Sequence, residues 1–226
     1  MSKKARVKIC GIKEESTLRD MAELPVHYVG FMFVAASRRR VTAEQAAKLI
    51  AASRVVNMAD GNPPLAVGVF VNPTINELRD VLAQAPLDVV QLHGDETPAF
   101  CREVRDTFGV DVWRALPVAE PGSSDADESG SERLEAYKGS VSTILIDTAG
   151  GGTGRTFRWD LIPSYQRIAD RLGLKLIVAG GLSQDNVEEL LALHTPYGVD
   201  ISSGVETEGA KDSVKIAAFA ERVNRS

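Results

Sequence analysis

Apolar residues in this chain gather in short continuous runs. Eight runs of strand length, at residues 7–10, 28–33, 66–70, 89–92, 112–116, 143–147, 175–179 and 199–201, recur along it. Val67-Gly68-Val69-Phe70-Val71 and Ile144-Leu145-Ile146 do not alternate with polar residues. Strands buried on both faces read that way, which predicts a parallel sheet. Amphipathic stretches of helical length follow the runs and begin near Glu14, Thr42, Thr74, Thr97, Ser131, Trp159, Gln184 and Lys211. Several carry start signals. Thr42 stands three residues before Gln45, and Thr74 three before Glu77. Thr97-Pro98 sets proline at a first helical position. Strict alternation of strand and helix predicts one (β/α)8 barrel over residues 1–226, rather than an open doubly wound sheet.

Two stretches interrupt the rhythm. Residues 57–64 form a polar loop rich in proline and glycine. Residues 117–132 include Gly122-Ser123-Ser124-Asp125-Ala126-Asp127-Glu128 and read either as an acidic surface insertion or as a lid. The 226-residue length falls in the barrel range, and 44% hydrophobic content is enough for a sizeable core. A net charge of −5 argues against a protein that tracks nucleic-acid backbones. It leaves room for a phosphorylated small substrate held by backbone N–H groups. Cys10 and Cys101, the two cysteines, read as free thiols of a reducing cytoplasm. No apolar segment reads as a signal peptide or membrane span.

Polar punctuation supplies the chemistry. Reactive residue types stand at the C-terminal ends of the runs, where a β/α barrel builds its active site. Cys10 closes the first run and reads as a proton-abstracting thiolate or as a small buried hydrophobe. Asp147 closes the sixth run. Partial burial would favour its protonated, acid form, whereas an ionised carboxylate would order the following turn. Gly150-Gly151-Gly152-Thr153-Gly154 departs from a P-loop, with Ala149 and Arg155 at two of its positions, and reads as a flexible active-site loop. Gly180-Gly181 and Ser202-Ser203-Gly204 end the seventh and eighth runs, where such barrels bind phosphate; ordinary turn chemistry is the alternative. Arg38-Arg39-Arg40 follows the second run, so one guanidinium is placed to grip a carboxylate. His93 reads as a substrate hydrogen-bonding group or a structural histidine. Neither paired histidines nor a Cys-x-x-Cys indicates a metal site.

The motifs in order resemble the phosphoribosylanthranilate isomerase family of tryptophan biosynthesis. The residues that carry the resemblance are Lys8-Ile9-Cys10-Gly11-Ile12, Ser37-Arg38-Arg39-Arg40-Val41, Gln91-Leu92-His93-Gly94-Asp95-Glu96, Asp147-Thr148, Ala179-Gly180-Gly181-Leu182 and Asp200-Ile201-Ser202-Ser203-Gly204-Val205-Glu206. With the glycine cluster they cover residues 7–212. The resemblance implies a cofactor-free Amadori rearrangement of N-(5-phosphoribosyl)anthranilate to 1-(2-carboxyphenylamino)-1-deoxyribulose 5-phosphate. It implies Asp147 as general acid, Cys10 as general base and Arg39 as clamp on the anthranilate carboxylate. Gly180, Gly181, Ser203 and Gly204 would hold the phosphate. The chain departs from the family at Glu208, where proline is frequent, and at the long stretch 117–132.

Two other functions compete with this one. The sister Amadori reaction on the aminoimidazole ribonucleotide of histidine biosynthesis takes a larger bisphosphate, and its enzymes resemble this chain less at Cys10. A non-catalytic barrel would bind a phosphorylated ligand or dock to other tryptophan-pathway enzymes. The joint presence of Cys10 and Asp147 argues for an enzyme, and contact with pathway partners stays open.

Overall fold

The computed structural model of the chain describes residues 4–118, 129–148 and 159–226. Most of the predicted insertion at 117–132, and the whole glycine cluster from Gly150 to Gly154, lie outside them.

Eight parallel strands close into a barrel in chain order: β1 (Arg6–Cys10), β2 (Tyr28–Met32), β3 (Leu65–Phe70), β4 (Val89–Leu92), β5 (Asp111–Val118), β6 (Thr143–Thr148), β7 (Lys175–Val178) and β8 (Gly198–Ile201). β8 closes onto β1, pairing Lys8 with Asp200 and Ile9 with Ile201. The helices are α1 (Glu15–Asp20), α2 (Ala43–Ser53), α3 (Ile75–Leu82), α4 (Pro98–Phe108), α5 (Ser129–Glu132), α6 (Ile162–Leu172), α7 (Val187–Leu193) and α8 (Ser213–Arg225).

The two-residue period of a strand sorts its side chains between two apolar layers. Outward residues such as Ile9, Val29, Phe31, Ile144 and Ile146 pack beneath the helices. Inward residues Tyr28, Val67, Val89, Trp113, Ala115, Leu145, Ile177 and Ala179 fill the barrel. The Tyr28 and Trp113 rings meet edge to face at 4.9 Å, and the Tyr28 hydroxyl lies 2.9 Å from that of Tyr197. Lys8 pairs in register with Tyr28, and Asp147 lies two residues beyond Leu145. The same period therefore turns Lys8, Cys10, Asp147 and Asp200 inward.

Local chemistry sets the helix starts. Thr42 Oγ1 accepts from Gln45 N at 3.1 Å and Gln45 Oε1 from Thr42 N at 2.9 Å, a reciprocal capping box; Thr74 and Glu77 repeat it. Thr97 caps α4 with Pro98 in its first turn. The loops after β3 and β4 are joined by buried Glu96. Its Oε1 accepts from Asn72 N at 2.7 Å and its Oε2 from Gly94 N at 2.8 Å, while Arg114 approaches to 3.3 Å. That clamp fixes the backbone that carries His93.

Two units differ from the expected pattern. The fifth helix is only the single turn α5, continued as a 3₁₀ turn (Arg133–Tyr137) that buries Leu134 and Tyr137. Ser129-Gly130-Ser131 has weak helix propensity, and two apolar residues three apart give only a narrow buried face. The eighth helix starts after Asp212, whose Oδ1 accepts from Val214 N at 3.0 Å and Lys215 N at 3.2 Å. Lys211 instead belongs to a small hairpin, β9 (Glu206–Thr207) and β10 (Ala210–Lys211). Its turn residues Glu208 and Gly209 have φ of 52° and 85°. Proline, locked near −65°, cannot occupy the first of these, so the departure at Glu208 corresponds to a distinct loop shape.

Candidate active site

Cys10 ends β1 with its thiol inside the barrel mouth and only 4% exposed. Burial pushes the thiol pKa up, and Asp200 adds to that; the Lys8 and Lys211 ammonium groups pull the other way without cancelling it. The net effect of these surroundings is to favour the neutral thiol over the thiolate. A side chain on the neighbouring strand has no room: a Cβ on Gly30 would lie 2.8 Å from the Cys10 sulfur.

Asp147 is the penultimate residue of β6 and is buried. Its Oδ1 accepts from the backbone N of Thr148, the last residue of the strand, at 2.7 Å. Its Oδ2 faces His93 Nε2 at 3.5 Å. His93 Nδ1 lies 3.2 Å from Gln91 Nε2, an amide nitrogen that can only donate. If Nδ1 accepts from that amide, a neutral imidazole carries its proton on Nε2, on the side of Asp147. The Gln91 carbonyl oxygen is buried with no partner among the described residues. Gly180 (φ +86°) backs onto Asp147; a Cβ there would fall 2.8 Å from Asp147 Oδ1 and 2.3 Å from Thr148 Oγ1.

Beneath Cys10 lies a charged pair that sequence reasoning did not single out. Lys8, fully buried, places Nζ 3.0 Å from Asp200 Oδ1. Burial disfavours both charges, pulling the ammonium pKa down and pushing the carboxyl up. The attraction of Asp200 and Cys10 outweighs burial for Lys8, whose pKa ends raised. The available signal was a single charge inside an apolar run, Val7-Lys8-Ile9 and Val199-Asp200-Ile201, at inward positions.

Arg39 reaches the mouth with its stem pressed against Gly11, where a Cβ would meet its Cδ at 2.5 Å. Its guanidinium is paired. Nε donates to Glu206 Oε1 at 2.6 Å and Nη2 to Glu206 Oε2 at 2.9 Å. Arg38 and Lys211 reach the same carboxylate at 2.5 and 2.9 Å. Burial alone would raise the Glu206 pKa, but Arg39 and Lys211 hold it at about 2. Lys211 also donates to Ser202 O at 2.8 Å, and the Ser202 hydroxyl donates to Cys10 O at 3.0 Å.

The two glycine-serine segments predicted to act together do adjoin. Gly204, inside the 3₁₀ turn Ser203–Val205, packs so tightly that a Cβ would lie 2.0 Å from Leu182 O. Gly181 takes a left-handed φ of 63°, and its carbonyl accepts from Asn186 Nδ2 at 3.0 Å. Cys10, His93, Asp147, Gly180 and Arg39 thus stand at one end of the barrel, around a mouth edged by the loops after β7 and β8. Among the described residues there is no cluster of three or more histidine, cysteine or acidic residues suited to a metal, and no helix is long and apolar enough to cross a membrane.

A family model described as N-(5'phosphoribosyl)anthranilate (PRA) isomerase matches residues 7–222. An N-(5'-phosphoribosyl)anthranilate isomerase of Brevibacillus brevis is 47% identical over 222 residues, covering 96% of this chain and 93% of that protein. The crystal structure of phosphoribosyl anthranilate isomerase from Thermotoga maritima superposes with a TM-score of 0.82 at 31% identity, covering 98% of this chain and 100% of the other. A phosphoribosyl anthranilate isomerase solved with reduced 1-(o-carboxyphenylamino)-1-deoxyribulose 5-phosphate superposes with a TM-score of 0.80 at 30% identity and the same coverage.

Proposed function

The chain belongs to the N-(5'-phosphoribosyl)anthranilate isomerase family, and from that premise we propose how its own residues perform the isomerisation. The reaction is the rearrangement of N-(5-phosphoribosyl)anthranilate to 1-(2-carboxyphenylamino)-1-deoxyribulose 5-phosphate, a step of tryptophan biosynthesis on a phosphorylated small molecule.

Asp147 is the general acid. It protonates the furanose ring oxygen as the anthranilate nitrogen lone pair expels it, giving a C1 iminium and a C4 hydroxyl. His93, with its proton on Nε2, then donates to the carboxylate that remains and keeps it facing the sugar. Cys10 is the general base. It takes the proton from C2; the C–H electrons become the C1–C2 double bond and the nitrogen regains its lone pair. The resulting enolamine moves a proton from the C2 hydroxyl to C1 and becomes the ketone.

The buried, neutral thiol suits this order. Ionising it unaided is costly, but ring opening sets a cation beside it, and a nearby positive charge favours the thiolate. The iminium is also the electron sink, so this route requires no metal or organic cofactor. Arg39 takes the anthranilate carboxylate. Backbone groups of Gly180 and Gly181, with Ser203 and Gly204, take the phosphate.

The observation that carries the reading is the placement of one thiol and one carboxyl, from the C-terminal ends of β1 and β6, at the same mouth of a closed barrel. General acids and bases of this kind contribute roughly 10²–10⁴-fold each. The test follows loss of substrate fluorescence in Cys10→Ala and Asp147→Asn. Each is expected to lose at least about a hundredfold in kcat while keeping a cooperative thermal transition. Near-wild-type turnover by either folded variant removes that residue from the mechanism.

A further inference from the structure

The guanidinium of Arg39 is a planar fork with two edges on which to grip a carboxylate. Glu206 occupies the edge formed by Nε and Nη2, at 2.6 and 2.9 Å. The other edge, Nη1 with the second hydrogen of Nη2, meets no acceptor among the described residues. Glu206 is itself immobilised. Lys211 reaches it at 2.9 Å, Arg38 at 2.5 Å, and its own carbonyl accepts from Lys215 Nζ at 2.9 Å. Lys211 ties the cluster through Ser202 to the carbonyl of Cys10. A planar group held at two points along one edge cannot swivel, so the direction of its second edge is set as well.

We propose that Glu206 is a positioning residue that selects for substrates bearing an ortho-carboxylate, by locking one edge of Arg39 so that the other faces the anthranilate carboxyl. The inference rests on the reading of Arg39 as the carboxylate clamp. Charge complements the geometry: Arg38, Arg39 and Lys211 against one Glu206 leave a local surplus of two positive charges for an anionic ligand. A competitor role, in which the substrate carboxylate displaces Glu206, fits the cluster less well, since Glu206 would have to abandon all three cations.

The test measures binding of two probes by calorimetry. One is reduced 1-(o-carboxyphenylamino)-1-deoxyribulose 5-phosphate; the other is its phenylamino counterpart without the carboxyl. The readout is the ratio of their dissociation constants in wild type, Arg39→Met, Glu206→Gln and Glu206→Asp. A hydrogen-bonded charge pair is worth roughly ten- to a hundredfold, so wild type is expected to prefer the carboxylated probe by about that factor. Arg39→Met should abolish the preference. Glu206→Gln should shrink it to within about threefold, with the carboxyl-free probe nearly unaffected. Glu206→Asp keeps the charge but shortens the reach; it should lose part of the preference, and it serves if Glu206→Gln fails to fold.

Absence of any preference in wild type, or its survival in Arg39→Met, overturns the clamp itself. Loss in Arg39→Met with an intact preference in both Glu206 variants leaves the clamp standing and overturns the positioning role. Tighter binding of the carboxylated probe by Glu206→Gln would establish competition instead. An equal loss for both probes would reduce Glu206 to a structural group.

Discussion

Cys10, the proposed base, stands in surroundings that favour its neutral form. Burial raises its pKa, and the pull of Lys8 and Lys211 only moderates the rise. In the free protein, alkylation by iodoacetamide should therefore be slow at neutral pH and climb about tenfold per pH unit through pH 9, without levelling near the ordinary thiol value of about 8.5. The measurement needs a Cys101→Ser background, which leaves Cys10 as the one thiol. A rate that levels off below pH 8 would mean a pre-ionised sulfur and would contradict the environment described. Asp147 divides its labour by atom, one oxygen on the Thr148 amide and the other toward His93.

At the level of elements, the site depends on what neighbouring strands leave out. β2 carries Gly30 opposite Cys10, where a Cβ would stand 3.0 Å from the Cys10 Cα as well as 2.8 Å from its sulfur. Backbone cannot yield as a flexible side chain does, so Gly30→Ala should displace the end of β1. Misplacement of a reacting group by about 1 Å can cost on the order of a hundredfold. The expected outcome is that loss in kcat with unfolding still cooperative; wild-type kcat in Gly30→Ala would show that the thiol position is tolerant. Elements also mark what the sequence made legible. Cys10 and Asp147 could be found because each closes an apolar run, and α2, α3 and α4 because Thr42, Thr74 and Thr97 announce them. The fifth unit was overestimated, since serine and glycine leave only Leu134 and Tyr137 to bury. The pairing of Arg39 with Glu206 joins residues 167 positions apart. No local pattern encodes that; only barrel closure brings the loops after β2 and β8 together.

For the whole molecule, closure is also where energetics and chemistry meet. The Lys8–Asp200 pair joins the first strand to the last inside the barrel, directly beneath the thiol. Removing one partner of a buried pair leaves the other uncompensated, at roughly 3–5 kcal/mol, whereas replacing both with apolar residues is often tolerated. Lys8→Met should thus lower unfolding free energy in urea by about that amount, and Lys8→Met with Asp200→Leu should recover much of it. A change under about 1 kcal/mol in Lys8→Met would show that the pair contributes little to closing the barrel. Sequence signalled these residues as lone charges in apolar runs, but their partnership requires the ends of the chain to meet.

The central claim is that sulfur and carboxyl address one sugar from two sides. A crystal structure of this protein with reduced 1-(o-carboxyphenylamino)-1-deoxyribulose 5-phosphate measures it directly. The Cys10 sulfur should lie within about 3.5–4 Å of C2, and Asp147 Oδ2 within about 3 Å of the C4 hydroxyl derived from the ring oxygen. A complex with either atom well beyond those distances, or with both on the same face of the sugar chain, would contradict the account.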